Sequence, residues 1–236
     1  MLESTEEQRS ALTEFRRAAA LVQFLVIKDQ DAFESYRSDS KRAVQESGGQ
    51  RAHDVHVDQV LAGGELHYQA ITVDLFPSGK AARSAFEPVR AERQAALSDI
   101  YGLVLRPITG PPRVAKSLRF LAPLLSRMLG TRSEREMAGF AELANPETGP
   151  VPETIAVPKE HDQTTPFCMM NLNKYYPTAR YESGEAVSGE QAYNRNAARI
   201  LPYLISVGGY PAIMGYTVGV LVGDERSPLH DDWSDF

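Results

Sequence analysis

The chain has 236 residues, of which 42% are hydrophobic and 24% charged, a globular composition that excludes a disordered tail, a collagen-like rod and a disulfide scaffold. The 25 Lys and Arg against 31 Asp and Glu give a net charge of −6, which argues against a nucleic-acid partner because phosphate binding needs a strongly positive face. No apolar run is long enough to cross a bilayer and the acidic start is unlike a signal peptide, so we expect a cytoplasmic protein of one or two domains.

The first half of the chain begins with a predicted strand, a helix and a hairpin. Residues 20–28 are a continuous apolar run of strand length. Residues 32–47 carry an imperfect helical stripe of apolar side chains that ends at a pair of glycines. Two further strands, over residues 53–61 and 66–76, flank a Gly-Gly turn and are predicted to form a hairpin.

A second helix and a fourth strand complete this first unit. Residues 79–100 have a helical pattern that Pro88 should kink or split, and residues 101–108 are predicted to be a short strand. The order βαββαβ is the ferredoxin-like arrangement, in which two helices cover one face of a four-stranded antiparallel sheet. Its other face would be bare, so we expect either a dimer or an internal duplicate to cover it.

The sequence indicates such a duplicate near its end. Residues 167–176 have the pattern of the first strand, residues 189–207 that of the first helix with a terminal glycine pair, and residues 210–222 that of the second strand. The second repeat stops before its second helix and last strand, so we expect either a fragment or completion by another chain. The predicted organisation is an N-terminal extension (1–19), repeat 1 (20–109), a linker (110–164) and a partial repeat 2 (165–236).

Several segments resemble the dimeric α/β-barrel superfamily and, within it, a bacterial family of unknown function. In repeat 1 these are LAGGELHYQAITVDLFPSGKAARSAF and ERQAALSDIYGLVLRP; in repeat 2 they are MMNLNKYYPTARY, SGEQAYNRNAARILPYLISVGG and DDWSDF. The resemblance implies an α+β fold of tandem ferredoxin-like βαββαβ repeats in a dimeric-α/β-barrel-type arrangement, with the second repeat incomplete. Relatives in this superfamily include monooxygenases, lactone isomerases and polyketide cyclases, so the resemblance says little about chemistry. Tyr68 and Gly79 depart from that family's usual Trp and Arg.

The linker contains a predicted amphipathic basic helix over residues 113–129. Its apolar side chains step by three and four, and its cations lie elsewhere on the helical wheel. We favour a helix that docks on one of the repeats; the alternative is peripheral contact with an anionic membrane. Pro123 should kink this helix. The apolar residues are Val114, Leu118, Leu121, Leu125 and Met128, and the cations are Arg113, Lys116, Arg119 and Arg127.

The best catalytic candidates are Asp54, His56 and Asp58. The two-residue period of a strand places them on one face, with Val55 and Val57 on the other. If the valines pack on the helices, the three polar side chains face the barrel, where an imidazole between carboxylates would have a raised pKa and could act as a general base or proton shuttle. The favoured alternative is a solvated or hydrogen-bonded strand face. No second histidine lies at a spacing that closes a metal site, so we expect no metal.

A ligand site is suggested by Asn171 and Asn173, which share one face of the predicted strand over residues 167–176. Buried amides need partners, which a polar network or a ligand would provide. Tyr193 and Trp233 would add aromatic walls, although packing is their usual role. The sequence contains no phosphate-binding or dinucleotide-binding motif, so we expect no cofactor.

Two functions fit these expectations. In the first, a homo-oligomeric barrel binds a small, partly aromatic or lactone-like metabolite and acts as a cofactor-independent isomerase, cyclase or monooxygenase, with His56 moving the proton. In the second, the barrel is filled by its own side chains and the protein is a non-enzymatic binding or assembly module. Haem binding is a third and weaker hypothesis, since relatives of the superfamily bind haem.

Overall fold

The chain forms two compact units, described here from a computed structural model. The sheet unit comprises Met1–Pro107 and Gly215–Phe236, and the helical unit comprises Ile108–Met214. Within the described part of the chain, no helix is both long enough and apolar enough to span a membrane. The residues that the structure describes are 5–6, 15–57, 68–129, 168, 170–179 and 185–223.

The sheet unit is a mixed α+β structure with one open, antiparallel, five-stranded sheet in the order β2-β3-β1-β4-β5. Its first four strands and their helices follow the predicted βαββαβ order, which is compatible with a ferredoxin-like arrangement. As predicted, the second helical segment is split at Pro88. The elements are β1 (Ala19–Ile27), α1 (Gln30–Glu46), β2 (Gln50–His56), β3 (Ala70–Phe76), α2 (Gly79–Phe86), α3 (Arg90–Ala96), β4 (Leu97–Pro107) and β5 (Gly215–Val222).

Local side chains fix the ends of α1. Asp29 caps its N-terminus by accepting a hydrogen bond from the backbone N–H of Ala32 at 2.8 Å. At the other end Gly48 has φ +74°, the left-handed conformation that favours glycine after a helix. A Cβ on Gly49 would lie 2.6 Å from Cδ1 of Phe76, so only glycine lets the chain enter β2 this close to β3. The glycine pair therefore has the structural role that the sequence predicted.

The three helices pack on one face of the sheet and form the core. Phe33 and Tyr36 of α1 and Phe86 of α2 are buried in this layer, with Leu21 and Val104 from the strands beneath them. Side chains that alternate with these residues along the strands lie on the other face, and they are buried too. Neither face of the central strands is therefore solvent-exposed. The buried residues of that second face include Ala20, Val22, Phe24, Val73, Leu103 and Leu105.

A β-bulge in β2 changes which side chains face the helices. Arg51 pairs with Asp74 of β3, but the next paired residue, His53, lies opposite Val73, so Ala52 is an extra residue in the strand. Because side chains alternate with a period of two, one extra residue inverts the faces of everything that follows it. Arg51 and Asp54 consequently share the helix-facing side although they are three positions apart.

The helical unit contains α4 (Gly110–Leu118), a 3₁₀ turn (Arg119–Leu121), α5 (Ala122–Leu129) and α6 (Gly189–Ser206), and α6 packs against α5 and the 3₁₀ turn. The kink predicted at Pro123 is confirmed. The pyrrolidine ring of Pro123 removes a backbone donor and crowds the carbonyl of Arg119, so the preceding turn tightens.

The first helix of the predicted second repeat is confirmed as α6. Ser188 and Gln191 form a capping box at its start, and Gly208 follows its end with φ +83°. Its packing differs from that of its counterpart α1, because Tyr193 is 37% exposed whereas the aligned Phe33 is 1% exposed. Equivalent sequence patterns in the two helices thus have different environments.

The other predicted elements of the second repeat differ from expectation. Cys168 and residues 170–179 form no strand, and Asn173 makes only an isolated bridge. The strand predicted over residues 210–222 is β5, which joins the first sheet beside β4 instead of forming a second one. A strand is stable only with a neighbour, and β4 provides that neighbour for β5. The described strands accordingly make one sheet.

Candidate functional site

The two described members of the predicted catalytic trio lie on the helix side of β2. Oδ2 of Asp54 accepts a hydrogen bond from Nε of Arg37 at 2.8 Å and lies 3.5 Å from Nη1 of Arg51. The ring of His56 meets the ring of Phe33 edge-on, with 6.2 Å between centroids. Both Arg37 and Phe33 belong to α1.

The expectation that Asp54 and His56 face a barrel interior is therefore wrong. The physical reason for the difference is the extra residue Ala52. In a regular strand Val55 would face the helices, but the extra residue places Asp54 and His56 on that face instead. The carboxylate of Asp54 is held by the two arginines Arg37 and Arg51. Asp58 lies outside the described residues.

The described members of the predicted ligand site belong to the helical unit. Asn171 is exposed and Asn173 is half-buried, so the expected pair of buried amides is not present. Tyr193 packs against Tyr175, with 5.5 Å between ring centroids, and is partly exposed. Trp233 lies outside the described residues.

The sequence analysis missed a buried polar cluster between the sheet and α1, which we call the Arg51–Asp74 cluster. Arg51 donates to Asp74 through two hydrogen bonds, Nε to Oδ1 at 2.6 Å and Nη2 to Oδ2 at 3.1 Å. Nη2 of Arg51 also donates to Oγ of Ser40 at 3.1 Å. The side chains of Arg51 and Asp74 are 5% and 1% exposed. The other members of the cluster are Gln23, Tyr36, Ser40 and Thr72.

Gln23 extends the cluster across β1. Its Nε2 donates to Oγ1 of Thr72 at 3.2 Å and to Oδ2 of Asp74 at 3.4 Å. Its Oε1 is buried and accepts no hydrogen bond from any group in the described residues. Buried polar atoms without partners are rare in folded proteins. The Oε1 atom of Gln23 is therefore an acceptor that could take a hydrogen bond from a further donor.

The cluster borders a cavity of about 10 Å³. This volume is about the minimum that one water molecule requires, and it is far below the several hundred cubic ångströms of a small-molecule site. The cavity therefore suits a single water and no metabolite. Its lining includes Leu21, Gln23, Tyr36, Ser40, Arg51 and Asp74.

Burial dominates the electrostatics of the cluster. Desolvation raises the pKa of Asp74 above its ordinary value, against the opposing effect of the hydrogen bonds from Arg51. Burial likewise raises the pKa of Tyr36. For Arg51 burial is the largest single effect and acts to lower the pKa, but the hydrogen bonds that Arg51 donates to Asp74 and the negative charges of Asp74 and Asp54 together outweigh it, and the net shift is upward. Arg51 and Asp74 are thus a buried, hydrogen-bonded pair with little contact with solvent.

A second buried cation, Arg93 of α3, contacts the same helical layer. It is 1% exposed, its Nη1 donates to the carbonyl oxygen of Phe86 at 2.7 Å, and its guanidinium lies 3.7 Å from the centroid of the Phe86 ring. This geometry is a cation–π contact combined with a backbone bond, which holds α3 against α2. Arg93 therefore has a packing role.

Polar residues inside apolar strand runs were the available sequence signal for this cluster. Gln23 interrupts ALVQFLVIK and Asp74 interrupts ITVDLF, and both fall at helix-facing positions because Leu21, Gln23 and Leu25 alternate with the opposite face. A charged residue at such a position requires a buried partner. Arg51 could not be identified as that partner, because the bulge hides its phase.

Among the described residues, no group of three or more His, Cys, Asp or Glu side chains could hold a metal ion.

The solved structures that match this chain include two of RPA0582 proteins. The crystal structure of methylated RPA0582 protein matches with 18% sequence identity and a TM-score of 0.41, over 47% of this chain and 96% of that one. The RPA0582 protein of unknown function from Rhodopseudomonas palustris matches with 19% identity and a TM-score of 0.40, over 46% of this chain and 97% of that one. No protein-family model matches the chain, and no curated protein does.

Proposed function

We propose that the protein is a non-enzymatic assembly module that forms a homo-oligomer through the outer edge of β5. The observation that carries this proposal is the chemistry of the two terminal strands of the sheet. An edge strand presents unpaired backbone N–H and C=O groups, which another strand can pair with unless charges, prolines or bulges protect them.

The two edges differ in this protection. The strand β2 carries Arg51, Asp54 and a bulge. The strand β5 reads GYTVGVLV and contains no charged residue and no proline. Register irregularities interrupt its pairing with β4 in two places, but they leave Tyr216 and Val218 at least 36% exposed on an apolar strand. Pairing with the same strand of a second copy would cover these side chains in a two-fold arrangement.

The interior of the sheet unit supports the non-enzymatic part of the proposal. Of the two carboxylates predicted to be catalytic, Asp54 is paired with Arg37 and Arg51, and the buried Asp74 of the Arg51–Asp74 cluster is likewise paired with Arg51. The cavity of about 10 Å³ beside them has no room for a metabolite. These observations support the second of the two functions that the sequence suggested, a non-enzymatic module whose interior is filled by its own side chains.

The proposal includes two finer assignments. We assign the sheet unit to the ferredoxin-like class, supported by the strand order β2-β3-β1-β4. We place the protein in the cytoplasm, because its single cysteine, Cys168, is free and exposed, which suits a reducing compartment.

The test is sedimentation velocity over a range of concentrations. We expect the wild-type chain to self-associate and Val218→Lys to weaken its association at least tenfold, because a lysine on an edge strand opposes pairing. The matched control is Gln50→Lys, which adds the same charge to the exposed end of β2 and should leave association unchanged. Circular dichroism confirms that both variants fold.

Three outcomes would contradict the proposal. The first is a wild-type chain that stays monomeric at its highest soluble concentration, and the second is a Val218→Lys variant that associates like wild type. The third is stabilisation of the protein against heat by an aromatic acid or a lactone that His56→Gln abolishes, which would restore the enzymatic hypothesis.

A further inference from the structure

The helical unit carries an exposed surface that combines apolar side chains with positive charge. We define the basic apolar surface as Arg113, Lys116, Arg119, Phe120, Leu124, Arg127 and Met128. We infer that this surface attaches the protein peripherally to an anionic membrane. The inference is independent of the β5 edge, because all of these residues lie between Arg113 and Met128.

The apolar part of the surface differs from the stripe that the sequence predicted. Phe120, Leu124 and Met128 are 72%, 54% and 72% exposed. They follow one another at intervals of four along the 3₁₀ turn and α5, so they share one side of the helix. Leu121 and Leu125, which belong to the predicted stripe, are half-buried instead, since α6 packs against this segment.

Large apolar side chains in a row are unusual on a solvated helix, and they indicate a contact surface. Phe, Leu and Met are the side chains with which interfacial helices enter the boundary between lipid headgroups and acyl chains. The basic apolar surface thus has the apolar component that such a helix requires.

The charge of the segment identifies the kind of membrane. Residues 109–129 contain four cations, Arg113, Lys116, Arg119 and Arg127, and no Asp or Glu, so the segment carries +4 in a chain whose net charge is −6. All four cations are exposed. A polybasic segment next to exposed apolar side chains is attracted by the negative potential of anionic lipids and not by neutral ones.

Nucleic acid and a second copy of the chain fit the surface less well. A single-stranded nucleic acid is bound by aromatic rings that stack on bases, and Phe120 is the only aromatic residue between Arg113 and Met128. A self-association interface between copies would bring the four cations of each copy close together, which costs electrostatic energy. An anionic bilayer can bind both the apolar side chains and the cations of the basic apolar surface.

The test is co-sedimentation of the full chain with vesicles of phosphatidylcholine alone or mixed with phosphatidylglycerol. We expect binding only to the mixed vesicles, and high salt should weaken it at least tenfold because it screens exposed charges. Lys116→Glu with Arg119→Glu should weaken binding at least tenfold, and Phe120→Ser with Met128→Ser should do the same at unchanged charge. The charge control is Lys41→Glu with Lys80→Glu, two exposed lysines of the sheet unit, which should bind like wild type.

Several results would overturn the inference. Equal binding to both kinds of vesicle, no binding to either, or an equal loss in the Lys41 and Lys80 control would each do so. If the Phe120 and Met128 variant instead changes the sedimentation coefficient of the free protein, a second copy covers the surface. Binding of a labelled RNA homopolymer in place of the vesicles would identify a nucleic-acid site. Loss of vesicle binding with normal self-association would leave the proposal for β5 untouched.

Discussion

Replacing Arg51 by Met tests the buried ion pair that joins the neighbouring strands β2 and β3 beneath α1. The variant removes the two hydrogen bonds that Asp74 accepts at 2.6 and 3.1 Å and leaves that buried carboxylate with Gln23 at 3.4 Å. Removing one partner of a buried pair costs about 3–5 kcal/mol. We therefore expect the free energy of unfolding at pH 7 to fall by about this amount in urea denaturation.

The pH dependence of this loss follows from the pKa of Asp74. Burial already raises that pKa, and removal of Arg51 raises it further. A carboxyl whose folded-state pKa lies above its unfolded-state pKa contributes stability below the unfolded value, and this contribution is lost as the pH rises through the folded value. The difference between wild type and Arg51→Met should consequently grow as the pH rises through the folded-state pKa of wild-type Asp74.

Two further variants make the result decisive. Arg51→Met combined with Asp74→Leu removes both charges, and it should recover most of the stability because an apolar pair of similar volume can replace a buried ion pair. The control Arg42→Met breaks an exposed pair with Asp39 on α1 and should cost less than about 1 kcal/mol. A loss below about 1 kcal/mol in Arg51→Met, a loss that does not change with pH, or strictly additive effects in the double variant would refute the reasoning.

Two further substitutions should lower the free energy of unfolding by amounts that the structure allows us to estimate, and a third should change the helix content. Gly48→Ala should cost about 1–2 kcal/mol because φ is +74° there, whereas Gly110→Ala, where φ is not positive and a Cβ meets open space, should cost nothing measurable by the same denaturation. Phe33→Ala should cost about 3–5 kcal/mol because its ring is buried; the exposed Phe120→Ala, measured alongside, should stay within about 0.5 kcal/mol of wild type. Pro202 lies inside α6, so Pro202→Ala should raise the helix content measured by circular dichroism, and an unchanged spectrum would show that the helix already accommodates the missing donor.

The order of the first four strands of the sheet unit and of their helices could be predicted from the sequence, for physical reasons that particular residues show. Periodicity separates strands from helices, and Gly48 and Pro88 mark where elements end or break. The pairing of β2 with β3 followed from the short distance along the chain between them. These features are local, so a single sequence contains them.

Two features could not be predicted because they depend on distant parts of the chain. The place of β5 beside β4 depends on a pairing between segments about a hundred residues apart, and no local pattern contains that choice. The faces of Asp54 and His56 depend on a bulge whose single extra residue, Ala52, looks like any other strand residue. Asp54 and His56 therefore lie on the face of the sheet opposite to the one that their sequence pattern predicted.

The bulge also divides β2 into two segments, and the alternation of side chains between the two faces of the sheet is shifted by one residue from one segment to the other. Gln50 and Arg51 pair with Leu75 and Asp74 of β3, and after the extra residue the segment from His53 to His56 pairs with the next residues of the same strand. In a relative of this protein that lacked the equivalent of Ala52, the side chains equivalent to Asp54 and His56 would lie on the face of the sheet away from the helices. The residue equivalent to Arg37 would then face a valine instead of a carboxylate. Comparison of such proteins by sequence identity alone would equate positions whose side chains meet opposite surroundings.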